Sequence, residues 1–322
     1  MGPGHEFDTI RMLMARWGDL AVDIGDDAAV LSPEIHGRTR VISTDACIEG
    51  AHFLHEWISP FDVGVRAAAG AISDLAAMGA CAESILLAFV VPEQWRALLG
   101  DVADGIAQVV RASGARIVGG NLSRGDTFAI TTTVVGSAER IVSRRGAQPG
   151  DVLVVTGTLG GPGSAIRAWY SGQTPTEWAK GRFARPVPRL AEGAALAAAG
   201  AHAMLDISDG LVADARHLAA ASSARLLIEA SRVPVGVGID WHSALESGEE
   251  YELLAAVPPE AVSRLLDEWP QRFAVPLTAI GTVTAAEASG AVDVRGGERL
   301  DGSDPNAAQR VEFVSGHDHF SQ

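Results

Sequence analysis

From residue 38 to residue 283 the chain alternates strand-like and helix-like stretches. That alternation restricts it to a mixed α/β (α+β) architecture. Arg38 to Asp45 is β-branched and ends in Ser43-Thr44-Asp45. Ser59-Pro60 is a cap and first-turn pair that opens a helix of small residues running to Met78, and Gly79 closes it. Ser84 to Val91 is an apolar strand and Glu93 to Ala112 a periodic helix; Ala115 to Val118 leads into Gly119-Gly120. Phe128 to Gly136 alternates threonine with apolar residues, as a half-buried strand does. The turn-forming cluster Gln148-Pro149-Gly150-Asp151 divides the chain into units 1–148 and 149–322. Val152 to Thr156 then reads as a strand, Gly157 to Gly163 as a glycine-dense loop, and Gly172 to Pro188 as a long connection. Helices are predicted over Pro188 to Ala199, Asp209 to Ser222 and Ala261 to Trp269, and strands over Leu226 to Ala230, Tyr251 to Val257 and Leu277 to Val283. Near the start, Phe7, Ile10 and Leu13 stand at helical spacing.

Composition removes several function classes. A chain of 322 residues fits two domains, and 47% hydrophobic with 20% charged residues is a globular balance. No apolar run approaches the roughly 20 residues needed to cross a bilayer, and no basic-then-apolar leader opens the sequence. Cys47 and Cys81 make no disulfide framework or zinc pattern, so a reducing cytoplasm is the expected setting. A net charge of −15 without a basic stripe argues against a nucleic-acid surface. The acidic residues either solvate the surface or gather around cations.

Five places join an oxygen ligand to glycine or a small hydroxyl residue near an element's end. They are Gly25-Asp26-Asp27-Ala28-Ala29, Ser43-Thr44-Asp45, Ser73-Asp74, Gly119-Gly120-Asn121 and Asp206-Ile207-Ser208-Asp209-Gly210. Each taken singly also reads as a turn or a cap. Asp26 beside Asp27 is repulsive without a compensating cation. Asp74 sits in a helix of alanines and other small residues, where it either faces water or is buried with a partner. Gathered carboxylates suit magnesium with phosphate, because magnesium prefers hard oxygen ligands and phosphoryl transfer needs charge neutralisation. The chain holds no GxxxxGK[ST] and no GxGxxG opening a helix after the first strand, which disfavours P-loop and Rossmann enzymes.

Further segments keep the same order: Glu49-Gly50-Ala51-His52-Phe53, Ser123-Arg124-Gly125, Arg144-Arg145-Gly146-Ala147, Thr156-Gly157-Thr158-Leu159-Gly160, Arg185-Pro186 and Gly248-Glu249-Glu250-Tyr251-Glu252. With the five acidic places they resemble the thiamine-monophosphate kinases, of the superfamily that includes aminoimidazole ribonucleotide synthetase. The resemblance runs from Glu6-Phe7 to His319-Phe320. It implies a two-domain synthetase-like fold: an N-terminal sheet domain pairs with its copy in a homodimer, and ATP lies in the cleft against the C-terminal domain. The implied reaction moves the γ-phosphate of ATP directly onto the phosphate of thiamine monophosphate. Carried over by position, Asp27, Ser43, Thr44, Asp45, Asp74, Asn121, Asp206 and Asp209 would organise several magnesium ions. Gly120, Asn121, Arg144 and Ser208 would contact ATP, and His52, Glu249 and His317 would meet the thiamine phosphate.

The chain departs from the family pattern at Asn121, where Asp is usual, and at Leu122, where a hydroxyl residue is. It departs again at Ser247-Gly248-Glu249-Glu250, where paired glycine and Glu-Asp are usual, and at His317, where an aromatic is. Asn keeps a ligating carbonyl but loses a charge. Two other readings stay open. One is a nucleotide- or thiamine-phosphate-binding paralogue with weakened turnover. The other is a superfamily ATP-dependent enzyme with another acceptor.

Overall fold

The computed structural model describes residues 26–35, 37–285 and 290–296, together with Arg11 and Ala15. The helical spacing at Phe7 to Leu13 and the site residue His317 lie outside those described, Arg11 excepted. Among the described residues the chain forms two sheets. The first contains β1 (Ala29–Ile35), β2 (Arg38–Ile48), β3 (Cys81–Val91), β4 (Arg116–Arg124) and β5 (Ala129–Ala138), in the order β1-β2-β5-β3-β4. Only β3 and β4 run parallel. The second contains β6 (Val152–Thr156), β7 (Ala203–Asp206), β8 (Arg225–Glu229), β9 (Leu253–Val257), β10 (Leu277–Thr284) and β11 (Ala291–Arg295), in the order β11-β8-β10-β6-β9-β7. Here β8 and β11 are the parallel pair.

Two helices, α1 (Pro60–Ala77) and α2 (Leu99–Ser113), belong with the first sheet. Ser59 caps α1 by accepting from the Asp62 N–H, and Pro60 fills the first turn. Small residues let α1 be buried on nearly every side. A Cβ on Gly64 would lie 2.0 Å from the Val102 carbonyl oxygen, and one on Gly105 would lie 1.9 Å from that of Phe61, so α1 and α2 meet backbone to backbone. The far end of α1 enters the second unit, where Ala76 and Ala77 share a core with Val154, Leu196, Met204 and Leu253. This helix carries Asp74 into the interior and joins the two units.

The second unit adds α3 (Gly161–Tyr170), α4 (Glu177–Ala184), α5 (Leu190–Ala198), α6 (Leu211–Ser222), α7 (Trp241–Leu245) and α8 (Pro259–Arg272). Several details differ from the sequence reading, and β1, α7 and β11 have no counterpart in it. The stretch from Glu93 begins as a 3-10 turn, Glu93–Leu98, before α2. That turn seats Trp95 against Phe128, with ring centroids 4.1 Å apart, and its indole N–H donates to Glu49. The predicted connection Gly172 to Pro188 contains α4, capped by Thr176 accepting from the Ala179 N–H. The strand leading into Gly119-Gly120 continues through both as β4. The glycine loop yields to α3 at Gly161. No described helix is long and apolar enough to cross a membrane.

Candidate active site

A cavity of about 230 Å³ opens where the two units meet. β2 brings Thr44 and Asp45 to it, followed by Cys47 and His52. Arg66, Gly70 and Asp74 of α1 stand four residues apart, so one helix face lines the wall. Arg144 reaches in beside Asp206, Ser208 and Asp209 of the β7–α6 turn, and Glu249 and Tyr251 close the opposite end.

One end is acidic. Carboxylate oxygens of Asp27, Asp74 and Asp206 all lie within 4.8 Å of one another. Arg144 forks onto Asp27, at 3.0 Å from Nε and 2.6 Å from the terminal nitrogen, while its own backbone N–H donates to Asp26 at 2.6 Å. The Asp26–Asp27 repulsion is therefore met by one arginine. Serines hold the other two carboxylates: Ser43 Oγ donates to Asp74 and Ser73 Oγ to Asp206, each at 2.5 Å. Burial pushes Asp206 up to about 7, with the Asp27 charge adding to it. Asp74 is driven well above the usual carboxylate range by burial and by Asp206. Fully ionised, as a bound cation would make them, the three carboxylates would exceed the one Arg144 guanidinium by two negative charges. A divalent ion with hard oxygen preference fits that donor set and that charge.

The other end is balanced. Arg66, with a side chain only 3% exposed, donates to Glu249 Oε2 at 2.7 Å. It also donates to the Phe183 carbonyl and lies 3.8 Å over that ring. Tyr251 donates to the same Glu249 oxygen at 2.7 Å. Arg66 and the Tyr251 hydroxyl hold Glu249 below the usual range against its burial. His52 Nδ1 accepts from the Ile48 N–H at 3.0 Å, which places the proton of a neutral ring on Nε2. Cys47 is pushed up to about 12 by burial, so the cavity offers no thiolate.

Most of the residues singled out in the sequence converge here. Thr44, Asp45, Asp74, Arg144, Asp206, Ser208, Asp209, His52 and Glu249 line the cavity, and Asp27 and Ser43 contact its residues directly. Gly120 and Asn121 do not reach it. They lie exposed on β4, with β5 and β3 between them and β2. At about 4.8 Å per strand, that is roughly 14 Å from Asp45. Sequence reasoning passed over Arg66 and Asp214, and it named Ser73 and Tyr251 only as neighbours within their segments, with no role of their own. Arg66 had a signal: it precedes Asp74 by two helical steps of four. Asp214 also had one, as an acid in the first turn of α6.

The family profile described as AIR synthase related protein, N-terminal domain, matches residues 25–138, and its C-terminal counterpart matches residues 148–294. The thiamine-monophosphate kinase of Mycobacterium tuberculosis is 36% identical over 263 residues, covering 76% of this chain and 78% of the relative. The chain belongs to the thiamine-monophosphate kinase family. The Escherichia coli K12 member of that family is 34% identical over 319 residues, covering 94% and 93% of the two chains. Among solved structures, one described as AaThiL complexed with AMPPCP and TMP superposes with a TM-score of 0.83 at 30% identity, covering 98% of this chain and 97% of that one. The thiamine-monophosphate kinase of Stenotrophomonas maltophilia gives 0.72 at 32% identity, covering 89% and 94%.

Proposed function

We propose that this chain transfers the γ-phosphoryl group of ATP to the phosphate of thiamine monophosphate, giving thiamine diphosphate and ADP. The observation that carries the reading is the two-ended cavity between the units, with an acidic cluster at one end and the Arg66–Glu249–Tyr251 group at the other. The AaThiL complex, with an ATP analogue and TMP bound, supports it. Asp27, Asp74 and Asp206 would hold magnesium, with Asp45 and Asp209 beside them; when bound, magnesium supplies neutralisation of phosphate charge. Arg144 presents a second charge to the same phosphates once its fork turns from Asp27. Glu249, fixed by Arg66 and Tyr251, accepts a hydrogen bond from the acceptor's aminopyrimidine. An oxygen of the acceptor phosphate attacks the γ-phosphorus, the bond to ADP breaks, and no group on the protein is phosphorylated. The acceptor is already ionised near neutral pH, so no general base is assigned.

Residues 1–148 and 149–322 would be the two domains of a cytoplasmic homodimer. An exposed apolar stripe on β3 and β4 supports the pairing. The test supplies ATP, magnesium and thiamine monophosphate, with free thiamine as a parallel acceptor, and separates products by chromatography. Thiamine diphosphate from the monophosphate alone, lost in Asp45→Asn, is the expected result. ATP binding without product would instead favour the weakened paralogue, the reading that Asn121 supports.

A further inference from the structure

Asp214 takes no part in the cavity wall, yet three backbone groups of the β7–α6 turn converge on it. Its Oδ2 accepts from the N–H of Ser208 at 3.0 Å, of Asp209 at 3.0 Å and of Gly210 at 3.1 Å. The carboxylate is 3% exposed, and α6 has no side-chain cap at Gly210 to serve those donors. Without Asp214, three adjacent N–H groups at a helix start would be left unpaired in the interior. The opposite edge of the turn is used as well. The Ser208 carbonyl accepts from the Glu249 N–H at 2.7 Å, and the Ile207 carbonyl from the Tyr251 N–H at 2.9 Å.

We infer that Asp214 is the positioning residue of this site: it fixes the Ser208–Asp209–Gly210 backbone so that the Ser208 and Asp209 side chains face the cavity. A cluster of three N–H groups at a helix start would otherwise be a receptor for a phosphate oxygen. Asp214 fills that receptor from within the chain. Ligand contacts of the turn are then left to side chains, and the turn keeps one shape whether or not a ligand is present. Through the two carbonyls the same anchor steadies Glu249 and Tyr251, so one buried carboxylate serves both ends of the cavity.

This inference rests on the kinase reading, in which Asp209 faces the metal ions, and its test separates the two. Mn2+ binding with AMPPCP is measured by calorimetry on the full chain and on Asp214→Ala, Asp214→Asn and Leu218→Ala. Amide hydrogen exchange is followed in the ion-free proteins. Second-sphere partners of metal ligands are worth roughly ten- to a hundredfold in affinity, so Asp214→Ala should weaken Mn2+ by about tenfold or more. Its Ser208–Gly210 amides should lose protection. Asp214→Asn keeps an accepting oxygen and should recover most of the affinity. Leu218→Ala removes a buried α6 side chain and should lower Tm while leaving Mn2+ affinity near the parent's. Equal Mn2+ binding by Asp214→Ala, unchanged protection at 208–210, or an equal loss of affinity in Leu218→Ala overturns the inference alone. A parent that binds neither Mn2+ nor AMPPCP overturns the kinase reading and this inference with it.

Discussion

Gly70 stands where α1 passes between the two ends of the cavity. A Cβ there would lie 3.1 Å from Asp45 Oδ2 and 3.1 Å from the Tyr251 hydroxyl oxygen. The backbone is helical, so alanine is conformationally welcome and worth up to about 1 kcal/mol of helix propensity. The contact is too close for both neighbours to stay, and each must give by a few tenths of an ångström. Gly70→Ala should therefore melt at or above the parent's temperature while kcat/KM falls by about tenfold, since small misplacements of aligned groups are costly. Thermal melts beside steady-state kinetics read the split. Undiminished activity would show that Asp45 and Tyr251 are not held to their present positions.

At the scale of elements, ion pairs do what apolar contacts do elsewhere. Glu252 of the turn into β9 is fully buried, accepting from Arg189 at 2.6 and 2.8 Å, from Arg182 at 2.8 Å and from Thr156 at 2.7 Å. Glu250, 1% exposed, accepts from the Gly160 N–H at 2.5 Å and from Ser247 at 2.6 Å, with Arg182 at 3.4 Å. Burial raises Glu250 from 4.5 to about 7 despite these partners. A raised carboxyl binds its proton more tightly in the folded state. Its contribution is full below pH 4.5 and is lost as pH climbs through 7. A shift of that size corresponds to about 3 kcal/mol. Glu250→Gln keeps the acceptor oxygen and should flatten the fall in Tm between pH 5 and 8; the same slope in parent and variant would remove Glu250 as its source.

These pairs also mark where the sequence stopped being readable. β6 was found to the residue because four apolar positions and a β-branched threonine stand between Asp151 and Gly157. α4 was not, because three prolines flank or neighbour it and its hold on the fold is Arg182 and Phe183 rather than an apolar stripe. β11 and α7 were passed over for the same lack of contrast. In the site, the acidic positions were legible from their neighbours, but their partners were not. Arg144 meets Asp27 across 117 positions, and Arg66 meets Glu249 across 183. Such pairings are decided by how the units pack, which no local pattern encodes.

At the scale of the whole molecule, the β4 edge of the first sheet stands uncovered. Every residue of β4 is exposed, and Ile117, Val118 and Leu122 are 50%, 57% and 66% exposed. Leu86 and Val90 of β3 extend the apolar surface next to them. The other side of the sheet is covered by α1 and α2, so this face and this edge are where a partner can add burial. A long apolar edge strand is a template for pairing, and nothing on β4 between Ile117 and Ser123 carries a charge to discourage it. A second copy is the partner that the family resemblance implies, and Gly120 and Asn121 would then lie at its border rather than in open solvent. Leu122→Lys separates this from an accident of composition. In a monomer the change touches only solvent and should leave the stability within about 0.5 kcal/mol of the parent's. In a dimer it places a charge in an apolar contact. Light scattering should find the parent at twice the chain mass and Leu122→Lys at the chain mass. A parent that runs as a monomer at micromolar concentration would assign the stripe no partner of its own kind and leave Gly120 and Asn121 outside any assembled site.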